Sequence, residues 1–206
     1  MEQVIMDSVA AIGNAPDVVR NGGIIAYRTD TYYGLGVDPL NREAVQRVRD
    51  LKGREENKPI LILISDAMEA DRFVSERSSL FEIVSARHWP GALTLVLAAR
   101  ADLPEELTAG SGSIGVRLPE DSDVRGLIRA CGGALTATSA NPSGSPAARS
   151  AEQVAEYFPA GIDLILDGGQ SECDKPSTVL DVSGDIIRVI REGAVDSSLM
   201  SDIMEG

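Results

Sequence analysis

The chain's 206 residues carry 32 Asp and Glu against 19 Lys and Arg, a net charge of −13. That balance opposes nonspecific nucleic-acid binding, which rests on neutralising phosphates. An apolar content of 43% is ordinary for a soluble protein, and no run nears the roughly 18 apolar residues of a membrane span.

The length suits one domain. The N-terminus MEQVIMDSVAA lacks the basic and apolar regions of a signal peptide, so a cytoplasmic protein is expected. Cys131 and Cys173 have no CxxC partner and read as free thiols. A lone histidine, His88, excludes a His-rich metal site, and no metal-ligating set of side chains stands out.

In chain order, an early helix before Gly22 is blurred by Gly13 and Pro16. Gly23–Tyr27 reads as a strand and runs into YRTDTYYGLG. There Thr29, Asp30, Thr31, Tyr32 and Tyr33 either close a turn by bonding their own backbone or face a polar ligand. Gly34 and Gly36 read as residues that let the backbone turn. Arg42–Lys52 is an amphipathic helix with Asn41 as N-cap and Gly53 past its end. Lys52, Arg54 and Lys58 surround that helix end, either complementing its dipole or clamping a polyphosphate.

Further strands are expected at Ile60–Ile64, Leu93–Leu97, Ser113–Leu118, Ala134–Thr138, Asp163–Leu166, Thr178–Val182 and Ile186–Ile190. Runs such as ILILI and LTLVL suit strands covered on both faces. Helices are expected at Asp66–Ser75, Ser79–His88, Asp123–Ala130 and Ser150–Phe158, the last opening with the capping box Ser150-x-x-Gln153. A short helix follows Asp196. The last two strands pair as a hairpin through Ser183-Gly184. The order is not strictly βαβ, so the class expected is α/β: a single three-layer domain over residues 1–206, with a twisted, mixed sheet flanked by helices.

Gly110-Ser-Gly112-Ser-Ile-Gly115 matches GxGxxG but precedes a strand, whereas a dinucleotide fingerprint follows one. Two more clusters can carry chemistry. Thr136-Ala137-Thr138-Ser139-Ala140-Asn141 ends an apolar strand, where ligands gather in α/β sheets. Lys175-Pro-Ser177-Thr178 and Arg191-Glu-Gly193 flank the hairpin, with Arg117 ending another strand. Each also has a bland reading as turn chemistry or surface ion pairing. Together they suggest a cavity for a small, polar, anionic ligand, a nucleotide being the natural candidate.

Several stretches resemble one family. YRTDTYYGLG, KGREENKPILILI, HWPGALTLVL, SIGVRLP, TATSANPSG, PSTVLDV and IREGAV are similar, in order and spacing, to motifs of the YrdC/Sua5 family from about Gly22 to Val195. The resemblance implies an α/β fold around a concave cavity, in the short, single-domain form. It implies a synthase that joins L-threonine, bicarbonate and ATP, with Mg2+, into threonylcarbamoyl-AMP and pyrophosphate. The product feeds the t6A modification at position 37 of tRNA through a partner transferase complex. Lys52 and Arg54 would carry the catalytic charge. Lys58, Ser113, Ser139, Asn141 and Arg191 would complete the ATP site, and Thr29, Tyr33, Arg117, Ala137 and Ser177 the threonine site.

Two positions depart from the family pattern. Arg28 stands where the family prefers proline, and Leu63 where some members carry histidine. The alternative reading is a double-stranded RNA or tRNA-binding module, which the charge of −13 disfavours; weak RNA contact beside the synthase activity stays open.

Overall fold

The computed structural model describes residues 4–7, 13–53 and 58–200. Eleven strands among them form two mixed sheets. The first has the order β1 (Val4–Asp7), β9 (Leu164–Asp167), β2 (Ile25–Arg28), β3 (Tyr33–Gly36), β8 (Thr138–Ser139). The second has the order β11 (Arg188–Arg191), β10 (Thr178–Asp181), β5 (Leu93–Ala98), β6 (Ser113–Arg117), β4 (Ile62–Ile64), β7 (Ala134–Thr136). The helices are α1 (Ala15–Arg20), α2 (Arg42–Lys52), α3 (Ser79–His88), α4 (Glu105–Thr108), α5 (Ser122–Ala130) and α6 (Ala151–Tyr157).

The α/β class expected from the sequence is borne out, with the strands shared between two sheets. The division falls inside the stretch read as one strand, Ala134–Thr138. Ala137 breaks it, and its N–H donates to the Leu61 carbonyl at 2.9 Å. The chain thus leaves the second sheet as β7 and enters the first as β8. Thr136 binds the crossing to β3: its hydroxyl donates to the Leu35 carbonyl at 3.1 Å and accepts from Val37 N at 3.0 Å.

Two apolar clusters fix the layers. The larger joins Ile24, Leu35 and Val37 of the first sheet region to Ile62, Leu95 and Val116 of the second. The smaller packs α1 and α5 on Tyr27, Leu63, Leu135 and Leu164. Burial of each large aliphatic side chain contributes roughly 1.5–3 kcal/mol.

Helix ends follow the sequence signals. Asn41 accepts from Ala44 N at 3.1 Å, and Gly53 caps α2 at φ 57° in the left-handed region glycine favours. Ser150 accepts from Gln153 N at 3.3 Å. Pro16 sits at the start of α1, where its missing N–H costs little. The expected helix Asp66–Ser75 is a 3-10 turn over Ala67–Arg72.

Two strands were not expected. β1 pairs with β9, and β3 occupies YGLG. Gly34 and Gly36 therefore do not turn the chain; both are buried in a strand. Gly36 is required by packing, because a Cβ there would lie 2.7 Å from the Tyr27 ring. No helix among the described residues is long and apolar enough to cross a membrane.

Candidate active site

A cavity of about 220 Å³ opens at the seam between the sheets, below the roughly 300–1,000 Å³ typical of drug-sized ligands. Seven separate segments wall it: the turn after β2, the approach to β4 at Leu61, the end of β6, the crossing at Ala137, the loop after β8 at Ala147, the approach to β10, and the end of β11. Of the residues the sequence nominated, Thr29, Tyr33, Arg117, Ala137, Ser139, Ser177 and Arg191 meet there.

Arg117 is the charged centre. Its residue is only 3% exposed, and its Nη2 pairs with Asp30 Oδ1 at 2.9 Å while Nη1 reaches Thr31 Oγ1 at 3.3 Å. Its Nε is buried without a hydrogen-bond acceptor. Burial pulls the Arg117 pKa down, and Asp30 pulls it back up. A guanidinium lining a cavity is a ready partner for a ligand carboxylate.

Arg191 reaches the cavity through an irregularity. Leu180 pairs with Val189 while Val179 pairs with Arg191, so Ile190 is the extra residue of a β-bulge. Bulges re-aim side chains near active sites. Here Arg191 Nε and Nη2 donate to the Ser177 carbonyl at 3.1 and 2.8 Å, and Nη2 to Ser177 Oγ at 3.1 Å. Desolvation first, and then the Arg117 charge, lowers the Arg191 pKa, and both residues line the cavity. Ser177 Oγ also shares a hydrogen bond with Thr94 Oγ1 at 3.0 Å.

The turn after β2 satisfies both readings of its hydroxyls. Thr29 Oγ1 donates to the Tyr32 carbonyl at 2.7 Å and accepts from Thr31 N at 3.1 Å, so the hydroxyl shapes the turn that the cavity uses. The Tyr33 phenol donates to the Gly169 carbonyl at 2.8 Å and accepts from Gly168 N at 3.1 Å. It pins the loop after β9, and burial pushes its pKa up. Ser171 secures the same loop by donating to the Thr31 carbonyl. Tyr33→Phe removes both phenol bonds to the half-buried loop, at about 1 kcal/mol for a hydrogen bond. A drop of that size in urea unfolding, with weakened ligand binding, is the expected result.

Lys52 does not line the cavity. Its ammonium is buried and donates to the Ser139 carbonyl and, at 2.7 Å, to the Asn141 carbonyl, so it seats the end of β8 and the start of the loop after it. Asn141 is buried at the start of that loop, its Nδ2 donating to the Pro142 and Ser145 carbonyls at 3.0 and 2.6 Å. Lys58 lies exposed, its carbonyl accepting from Arg49. Ser113 begins β6 and Arg117 ends it, about 13 Å away at the usual rise per residue. Arg54 lies outside the described residues. Among the described residues no group of three or more His, Cys, Asp or Glu could hold a metal.

Leu61 and Ala147 line the cavity without having been singled out, while Thr31, Tyr32 and Pro176 stood within the named clusters without an assigned role. Thr31 stood within the quoted motif; Leu61 had no signal separating it from its apolar neighbours. The two departures are also placed. Leu63 is fully buried in the smaller apolar cluster, and Leu61 two residues earlier faces the cavity. Arg28 pairs with Asp121 at 3.0 Å.

Comparison with known proteins agrees with this architecture. The Sua5/YciO/YrdC family model, described as "Telomere recombination", matches residues 17–193. The chain is 34% identical over 185 residues to the threonylcarbamoyl-AMP synthase of Bacillus subtilis, covering 89% of this chain and 54% of that one. It is 37% identical over 175 residues to the threonylcarbamoyl-AMP synthase of Pseudomonas aeruginosa, covering 84% and 94%. The crystal structure of Pyrococcus abyssi Sua5 complexed with L-threonine superposes with a TM-score of 0.90 at 32% identity, covering 98% of this chain and 60% of that one. The chain thus spans about half the length of the Bacillus relative. With the match running through every segment that walls the cavity, the chain belongs to the Sua5/YciO/YrdC family.

Proposed function

We propose that the chain, as one YrdC-like domain, is an L-threonylcarbamoyladenylate synthase: L-threonine, bicarbonate and ATP give threonylcarbamoyl-AMP, pyrophosphate and water. The observation that carries this reading is the pairing of Arg117 and Arg191 with a ring of hydroxyls in one small cavity. The synthase names of the Bacillus and Pseudomonas relatives, and the threonine bound by the Pyrococcus protein, support it.

Arg117 would take the threonine carboxylate, with Thr29, Tyr33, the backbone at Ala137, and Ser177 fixing the amino acid's orientation. The amine captures CO2 from bicarbonate as a carbamate. A carbamate oxygen then attacks the α-phosphorus, forming the new P–O bond as the bond to pyrophosphate breaks. Anion attacking polyanion needs alignment and neutralised charge more than a strong base. Arg191 at the cavity, with Lys52, Arg54, Lys58, Ser113, Ser139 and Asn141, would serve the nucleotide. Mg2+ fits best as an ion delivered on the ATP phosphates, because Asp30, the carboxylate against the cavity's Arg117, is already engaged by it.

The product would pass to a threonylcarbamoyl transferase complex for t6A formation in the cytoplasm, with at most weak tRNA contact at this net charge. The test is pyrophosphate release from the purified protein, with the product mass checked. Release must depend on both threonine and bicarbonate; ATP hydrolysis indifferent to either overturns the reading.

A further inference from the structure

Arg28 is the residue of the opening motif that the site leaves unused. It ends β2, immediately before the turn that carries Thr29, Asp30 and Thr31. Its side chain lies flat across Gly168: a Cβ built on that glycine would sit 2.9 Å from Arg28 Cβ and 3.2 Å from its Nε. Past Gly168 the guanidinium pairs with Asp121 Oδ2 at 3.0 Å, the two side chains 37% and 23% exposed. Asp121 is the N-cap of α5, and its other oxygen accepts from Asp123 N at 2.9 Å.

A second pair runs alongside. Asp30 reaches Arg117 at 2.9 Å, and its Oδ2 accepts from Glu120 N at 3.4 Å. The turn 28–30 and the segment 117–121 are therefore joined twice, with the charges crossed: cation to anion at Arg28–Asp121, anion to cation at Asp30–Arg117. Between them lies the loop after β9, whose Gly168 N–H is held by Tyr33. Three of the cavity's neighbouring segments are thus fastened by one side chain, which a proline at this position could not supply.

We infer that Arg28 is a positioning residue for the amino-acid half of the site: its strut to Asp121 across Gly168 holds the turn so that Asp30 keeps Arg117 aimed at the ligand. The inference rests on the threonine reading above, and its test separates the two. Arg28→Ala and Asp121→Asn, the latter keeping an oxygen for the helix cap, should each raise KM for threonine about two- to fivefold, the scale of a half-exposed ion pair. The kcat and the KM for ATP should stay unchanged, which a general loss of stability would not produce, and Arg28→Lys should recover part of the loss. Gly168→Ala should raise the threonine KM with Arg28 present, because the methyl meets its stem, and add little in an Arg28→Ala background.

Equal Gly168→Ala effects in both backgrounds, or wild-type threonine KM in Arg28→Ala and Asp121→Asn, overturn the strut. If the wild type shows no threonine-dependent pyrophosphate release, the activity reading fails instead. The strut is then read by thermal melting of the same four proteins of the Arg28–Gly168 cycle: non-additive Tm shifts support it, and additive ones overturn it.

Discussion

Asp30→Asn should lower the free energy of unfolding by about 3–5 kcal/mol, because it strands the Arg117 charge in a buried site. The pair's side chains are only 4% and 10% exposed, so solvent screens little of the loss. Urea unfolding measures it directly. The companion variant sharpens the interpretation: Asp30→Asn with Arg117→Met replaces a buried ion pair by a neutral, apolar-packed site and should regain most of the stability. Threonine-dependent turnover should be lost in that double variant, because the Arg117 cation lining the cavity is gone. A single Asp30→Asn protein as stable as wild type would show that the Arg117 charge is compensated elsewhere.

Lys52→Met is the second large effect. The ammonium donates to the Ser139 and Asn141 carbonyls inside the protein. Its removal leaves the buried Asn141 carbonyl unsatisfied, at about 1–3 kcal/mol. The strand end it seats carries Ser139 into the cavity wall. Turnover should fall about a hundredfold or more, the scale for loss of one preorganised electrostatic group. Both changes should appear together: a variant that loses activity with full stability would assign Lys52 to the phosphates alone, and one that loses stability with full activity would remove it from the site.

Much of this was legible in the sequence, for reasons that can be named. The α2 caps were readable because Asn41 and Gly53 act through local backbone geometry. The cavity residues were readable because hydroxyls and cations stood at strand ends, and the family resemblance then ordered them. β3 was not readable, since Tyr-Gly-Leu-Gly has no strand propensity of its own; Tyr27's ring filling the space above Gly36 and pairing with β2 make it a strand. The break at Ala137 was equally silent, because Ala134–Thr138 is apolar or β-branched throughout and carries no punctuation. Asp30 as the counter-ion of Arg117 depended on a contact spanning 87 residues. The bulge at Ile190 sits beside the return of residues 193–195 along 176–178, where Ala194 N donates to the Pro176 carbonyl at 2.9 Å; nothing in Arg-Val-Ile-Arg announces it.

The crossing at Ala137 also divides the chemistry by ancestry of the wall. The five-stranded sheet brings Thr29, Tyr33 and Ser139, which have hydroxyls and no charge; the six-stranded sheet brings Arg117 and Arg191, which have charge. Neither sheet alone supplies both Thr29, Tyr33 and Ser139 and the two arginines of the cavity. The chain passes between the sheets three times, after β3, β7 and β9, and at Ala137 the passage is one residue long, so the two inventories are interleaved along the chain and no single cut separates them.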